Sequence, residues 1–481
     1  MHGMKKTITP EKIDDILHNP GCGAMLLQRG ANKIRFDQLP QDAWFLKEKL
    51  VDKIEFAIPW SVLEPEEGKI LWDHPDWEGC INSWIDAGFK IALEVRGMDT
   101  WGTFYNQGVP QWVFDAGAKY VDEPLELYKG GWTLNFLDFE QAKAPVRYPV
   151  YWDEVYLEKA GNLIKAMGER YNGRPEIEYV CNGMMGRWGE MHLSSHSPLK
   201  PWFDAGFSRE IYVETLCRLI DMHKEAFPDT RICQEICAPV FGEDGGEDYL
   251  SFWDVPEIYE YLAANKVIIK NNSIGKSWHG NRSLYIDQPV LEIFDKYYTA
   301  TPVACENLVL KAALEEALRD THISYWHPGG EKEGLHILEH EKNIPIQEKK
   351  VWSCYKFFPG DYDKMTIEDE KNIWRMMAAK CGYRLEIDRI ETDGSQVTVH
   401  WNNSGSAPCY EDLTIYLELS QDDKTITSLT CAAKADGVEI FDMPCSADGA
   451  NTIKLKLSSP RGTIELGNLG KTSDGSYRWQ I

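Results

Sequence analysis

Up to about residue 382 the apolar positions come as short runs, separated by longer stretches with a helical apolar stripe. The runs that read as strands are Ala24–Gln28, Lys53–Ile58, Lys90–Arg96, Ile177–Asn182, Arg231–Cys237, Val267–Asn271, Pro302–Glu306 and Ile323–His327. The helical stretches between them include 75–88, 154–170, 207–226, 255–265, 288–299 and 308–320. Strands that alternate in this way with helical crossovers predict an α/β fold, a closed (β/α)8 TIM barrel with long loops. The competing architecture, an open doubly wound sheet, normally carries a glycine fingerprint after its first strand, and none stands there. After a helix at Thr366–Lys380 the period becomes two, in RLEIDRIE, QVTVHWNN, LTIYLELS, GVEIFDMP, NTIKLKLSS and GTIELGNLG. Turns rich in Gly, Asp, Asn and Ser separate these runs, as in a small all-β sandwich. The expected domains are a barrel over 1–382 and a sandwich over 383–481, with the boundary near Gly382.

Alternation within the strands also sorts polar residues by face. Positions against the helices are branched and apolar, so Ile232 and Ile236 point outward and Glu235 points into the barrel. By the same rule Ile91, Leu93 and Val95 cover helices while Glu94 and Arg96 face inward. Val303 and Cys305 go outward, and Ala304 and Glu306 inward. Barrel active sites lie at the C-terminal ends of the strands. Arg96, Glu235, Glu306 and His327 all stand at such ends. An interior carboxylate needs a partner, which Arg96 and Lys270 can supply. Glu94 and Arg96 are most simply a structural ion pair, and Glu235 fits a core pair as well as a ligand contact.

One stretch stands apart. Ile177 to Met191, IEYVCNGMMGRWGEM, begins as a strand and runs into a glycine-rich turn that delivers Glu190 beside Arg187 and Trp188. An acid displayed next to an indole suits a polar ligand with an apolar face, and sugars are the commonest of these. Trp60, Trp101, Trp188, Trp278 and Trp326 all fall at or after strand ends. Each alone could be core, but together they fit a rim that stacks on sugar faces.

The totals narrow the partners. With 76 acidic against 51 basic residues the formal charge is -25, which argues against nucleic acid and anionic membranes. No apolar run reaches the roughly 20 residues of a membrane span, and no signal-like segment follows Lys5 and Lys6. Twelve cysteines are scattered without a CxxC pair, so reduced thiols in a cytoplasmic protein are expected. His336 and His340 have ligand spacing, but EKEGLHILEHEK reads as an exposed polar segment, so neither metal nor cofactor is expected. The sandwich could serve as a contact between copies, which leaves a homo-oligomer open.

Two segments resemble a known group. Pro59 to Trp72, PWSVLEPEEGKILW, is similar to the W-x-x-x-E-P-x-x-G-x-x-x-W segment after the second strand of retaining barrel glycoside hydrolases, the β-galactosidase and cellulase-like clan. Arg170-Tyr171 followed by Gly186-Arg187-Trp188-Gly189-Glu190 resembles the RY…GRWGE of little-characterised bacterial β-galactosidase-like proteins. Their C-terminal sandwich is echoed by Asn403-Ser404-Gly405-Ser406-Ala407-Pro408-Cys409-Tyr410 and by Gly475-Ser476-Tyr477, so the resemblance spans both domains. It implies Glu190 as acid/base after strand four and Glu306 as nucleophile at the end of strand seven. Glu64, within the first of these segments, joins Trp60, Arg96, Trp101, Arg187, Trp188, Glu235, Trp278, Trp326 and His327 as candidate contacts for a small carbohydrate or glycoside. The chain departs from the clan at Gly189, where an Asn that binds the sugar 2-hydroxyl usually stands. A catalytically silent carbohydrate-binding barrel is therefore the alternative expectation. Basic Arg187, Arg96 and Lys270 also keep an anionic sugar open beside a neutral hexoside, and Glu235 competes with Glu306 as nucleophile.

Overall fold

The computed structural model describes residues 5–28, 33–40, 43–98, 108–123, 146–193, 198–240, 242, 247–271, 288–306, 321–327, 332–333 and 367–481. Eight strands form its first unit: β1 (Gly23–Gln28), β2 (Lys53–Pro59), β3 (Lys90–Arg96), β4 (Ile177–Gly183), β5 (Ile232–Glu235), β6 (Ile268–Asn271), β7 (Val303–Glu306) and β8 (Ile323–His327). Each pairs in parallel with its sequence neighbour, and β8 pairs with β1 through Tyr325↔Gly23 and Trp326↔Ala24, closing the ring. The fold is thus a (β/α)8 barrel. All eight strands fall where apolar alternation places them.

The described crossover helices include α1 (Glu78–Asp86), α2 (Glu154–Tyr171), α3 (Arg209–Ala226), α4 (Pro256–Ala264) and α5 (Gln288–Tyr297). The helical stretch read at 308–320 lies outside the described residues. The starts of α2 and α3 are fixed by side chains that accept otherwise unpaired amide protons: Asp153 from Val155 and Tyr156, and Ser208 from Ile211. These two helices cross closely at Gly168, where a Cβ would lie 2.3 Å from the Ala226 carbonyl oxygen. Outward strand residues such as Ile54, Phe56, Ile91, Leu93, Val95 and Ile232 pack with the helices in one large core. The barrel's own interior is a smaller cluster of Met25, Ala92, Tyr179, Cys181, Cys233, Ile268, Ala304 and Tyr325.

Beyond α6 (Ile367–Lys380) come β9 (Leu385–Thr392), β10 (Gln396–Asn403), β11 (Leu413–Gln421), β12 (Lys424–Ala433), β13 (Val438–Asp442), β14 (Thr452–Ser459), β15 (Gly462–Ile464) and β16 (Tyr477–Gln480). They make two antiparallel sheets around a separate core that includes Ile387, Val399, Ile415, Leu417 and Leu455. One sheet takes its edge strand from the other end of the chain: Lys6–Ile8 pairs with β9. Those first residues belong to the sandwich rather than to the barrel.

The sandwich docks on the N-terminal end of the barrel, opposite the end where barrel chemistry resides. Glu178, at the foot of β4, accepts from Gly21 N and from Tyr325 OH and pairs with Arg461 in the β14–β15 turn. Arg231, just before β5, pairs with Glu411 at 2.9 Å. Among the described residues no helix is long and apolar enough to cross a membrane.

Candidate active site

The turn after β4 is built from conformations that side chains normally avoid. Gly186, Trp188, Gly189 and Met191 all have positive φ, at +86°, +59°, +78° and +71°. Left-handed backbone at a bulky residue costs about 1–3 kcal/mol and persists only where the surroundings impose it. Here they do. Trp188 N donates to Met98 O of the β3 loop, and Leu193 N donates to Pro239 O beyond β5. Tyr156 of α2 donates to Met184 O, and Tyr212 of α3 donates to Met191 O. Both glycines are required: a Cβ on Gly186 would lie 2.4 Å from the Met191 carbonyl carbon, and one on Gly189 2.7 Å from Glu94 Oε1.

This clamp holds Glu190 at 3% exposure, its Oε2 4.0 Å from His192 Nδ1. Burial first, and then the negative field of Glu190, push the Cys237 thiol well above its ordinary value, with Glu235 adding to the effect. Glu190 and the end of β5 therefore share one environment. Arg187 is buried against rings, 5.2 Å from that of Trp188 and 5.8 Å from that of Tyr148. Tyr148 belongs to a hairpin, Tyr120–Glu123 with Val146–Pro149, inserted between β3 and β4.

Deeper in the barrel the inward polar residues pair with one another. Lys270 Nζ lies 2.8 Å from Glu55 Oε1 and 3.2 Å from Glu235 Oε2. Tyr179 OH donates to Glu55 Oε2 at 2.8 Å and stands 3.1 Å from His327 Nε2. Arg96 meets Glu94 through Nε at 2.9 Å and Nη2 at 2.8 Å. All of these groups are buried. Such pairing is what makes several interior charges tolerable. Burial first, and then the Glu55 charge, hold the Tyr179 phenol well above its ordinary value, so it keeps its proton.

The residues picked out from the sequence divide into three groups. Glu94, Arg96, Glu235 and His327 point into the barrel as alternation requires, and Glu190 lies beside its C-terminal end. Glu306 closes β7, its backbone in register with His327 of β8; its side chain lies outside the described residues, as do Trp101, Trp278, His336 and His340. Three candidates are corrected. Trp60 is fully buried beside Trp112 and Tyr156 and donates to Glu64, so no ring face is open to a sugar. Glu64 uses Oε2 for that bond and Oε1 for Gly68 N at 2.8 Å, holding its own loop. Burial raises the Glu64 carboxyl, with those two hydrogen bonds working against the rise. Trp326 lies on the outward face of β8 with its ring 5.2 Å from that of Trp374.

Glu55 and Tyr179 were not singled out from the sequence. Applying alternation to KIEFAIP would have found Glu55: Ile54, Phe56 and Ile58 face the helices, which leaves Lys53 and Glu55 inside. Tyr179 was masked by its aromatic character, which reads as core. Among the described residues no group of three His, Cys, Asp or Glu side chains could hold a metal.

No family model matches this sequence, and no curated protein matches it. Among solved structures, the chain is similar to the catalytic domain of a β-amylase from Paenibacillus polymyxa, with 12% identity over 66% of this chain and 92% of that one and a TM-score of 0.47. It is also similar to a β-galactosidase from Rahnella sp. R3, with 14% identity over 79% of this chain and 59% of that one and a TM-score of 0.41. An endoglucanase from Pseudomonas stutzeri has 13% identity over 74% of this chain and 94% of that one, with a TM-score of 0.36.

Proposed function

We propose that this protein is a glycoside hydrolase that cleaves the β-glycosidic bond of a small glycoside or oligosaccharide with retention, using Glu190 and Glu306. The observation that carries the reading is the strained clamp around Glu190. Four positive-φ residues within six positions hold one nearly buried carboxylate at the C-terminal end of a closed barrel. Packing alone gives no reason to keep such a turn. Glu306, the last residue of β7, occupies the second position that the clan resemblance requires.

In this reading Glu306 attacks the anomeric carbon, forming a carbon–oxygen bond to its carboxylate as the bond to the leaving group breaks. Glu190 gives its proton to the departing oxygen. It then takes a proton from water, whose oxygen displaces Glu306 and releases the sugar. Retention asks for carboxyl groups about 5–5.5 Å apart, against about 6.5–9.5 Å for inversion.

One observation favours a second reading, a catalytically silent carbohydrate-binding barrel. The clan's hydroxyl-binding Asn cannot stand before Glu190, because a Cβ on Gly189 would also lie 2.9 Å from Gly183 Cα. A panel of p-nitrophenyl glycosides separates the two. The enzyme reading expects turnover by the wild type and a loss of roughly 1,000-fold or more in Glu190→Gln and Glu306→Gln with sugar binding retained. A silent binder turns over none of the panel. NMR of the first-formed anomer then tests retention.

A further inference from the structure

Glu55 sits where two branches of the interior network meet. One branch runs to Lys270 on β6 and on to Glu235 on β5; the other runs to Tyr179 on β4 and on to His327 on β8. A single side chain from β2 thus links residues on four further strands, and His327 is the register partner of Glu306. The direction of the hydrogen bonds in the second branch follows from proton counting. Tyr179 has one hydroxyl proton, and at 2.8 Å the carboxylate of Glu55 takes it. The 3.1 Å contact to His327 can then exist only if His327 Nε2 carries a hydrogen and the Tyr179 oxygen accepts it.

We propose that Glu55 is a positioning residue of the site, which by accepting from Tyr179 fixes His327 as the Nε2–H tautomer and so presents Nδ1 as an acceptor in the layer of Glu306. The kinetic part rests on the glycosidase reading; the tautomer part does not.

The inference is tested by Glu55→Gln, which keeps the shape and reverses the chain. Lys270 can only donate, so the amide oxygen must turn to it. The amide NH2 then faces Tyr179 and donates to its oxygen. Tyr179 in turn donates to His327 Nε2, and the imidazole proton moves to Nδ1. In 15N NMR of the imidazole the wild type is expected to be Nε2–H and Glu55→Gln to be Nδ1–H. A wild type with Nδ1–H, or with both nitrogens protonated, overturns the proposal, as does a variant with the tautomer unchanged. Tyr179→Phe is a second probe that keeps the ring packed on Tyr325, whose centroid is 5.3 Å away. The hydrogen-bonded Nε2–H signal should vanish in it, and its persistence counts against the relay.

With an aryl glycoside, Glu55→Gln should lower kcat about 10- to 100-fold, as displacement of a catalytic group by about 1 Å does, with KM changed less than about threefold. An unchanged kcat in a variant whose tautomer has exchanged overturns the positioning role. Absence of turnover in the wild type strikes the glycosidase reading instead, and the tautomer exchange still decides the relay.

Discussion

Arg461, at the tip of a sandwich hairpin, and Glu178, at the foot of β4, lie 2.7 Å apart across the boundary between the domains. Arg461 also donates to the Glu178 carbonyl oxygen at 3.0 Å. The other oxygen of the Glu178 carboxylate accepts from Tyr325, whose ring packs edge-on against Tyr179. The sandwich therefore closes the foot of the same barrel whose interior carries the polar network. Arg461→Ala leaves Glu178 buried without its main cation. Removing one partner of a buried pair costs about 3–5 kcal/mol, and the nearby Lys53 puts this case near the lower figure. Urea unfolding checks it. Arg461→Lys should recover only part, because an ammonium lacks the guanidinium fork.

Acid should expose the same contact. Burial alone would push the Glu178 carboxyl up, but Arg461, Lys53, Tyr325 and Arg231 more than reverse this and hold it below its ordinary value. A depressed carboxylate stabilises the fold above its unfolded value, roughly 4.3, and that stability is lost as pH falls through the lower folded value. The urea midpoint should therefore decline below about pH 4 to 5. Glu178→Gln should be less stable than the wild type at pH 7, and the gap should narrow toward pH 3. A gap that stays constant with pH contradicts this assignment.

Gly189→Ala tests the clamp. The residue has φ +78°, and the new methyl would meet Glu94 Oε1 and Gly183 Cα. A stability loss of about 2–3 kcal/mol is expected. Glu190 should shift with the turn, so catalytic rate should fall about 100-fold while far-UV circular dichroism stays native. A variant with wild-type activity removes the argument drawn from the strained backbone.

Trp326 separates a packing role from a sugar-binding one. Its ring faces Trp374 and the helical layer, so Trp326→Ala should cost about 3–5 kcal/mol through the cavity it leaves. Trp326→Phe should keep KM for any glycoside unchanged. A rise in KM for Trp326→Phe without loss of thermal stability contradicts the outward placement.

These residues also show what the sequence could disclose. The eight barrel strands were legible because each is a short apolar run whose parity is forced by helices on one side. Glu94, Arg96 and Glu235 were placed inside by that parity. The rim of tryptophans was misread where position near a strand end outweighed parity: in ISYWH, an inward His327 already implies an outward Trp326. Trp60 lies in the short helix Trp60–Leu63 after β2, where strand alternation no longer applies. The Lys6–Ile8 strand has only three residues, too few for a period, and its partner is far away in sequence. Nothing local marks Arg461 as the partner of Glu178, since that contact joins residues 283 positions apart. The clamp was partly legible, because three glycines around an acid announce a tight turn. The positive φ of Trp188 and Met191 is imposed by tertiary contacts and leaves no trace in composition.

In the proposed reaction Glu306, paired with Glu190, forms the covalent bond to the sugar. The most direct measurement is labelling with a 2-deoxy-2-fluoro aryl glycoside chosen from the substrate panel, followed by peptide mapping by mass spectrometry. One glycosyl unit per chain is expected, attached to Glu306, with Glu190→Gln labelled more slowly at the same residue. A label on Glu235, or none on a chain that turns over the parent glycoside, contradicts it.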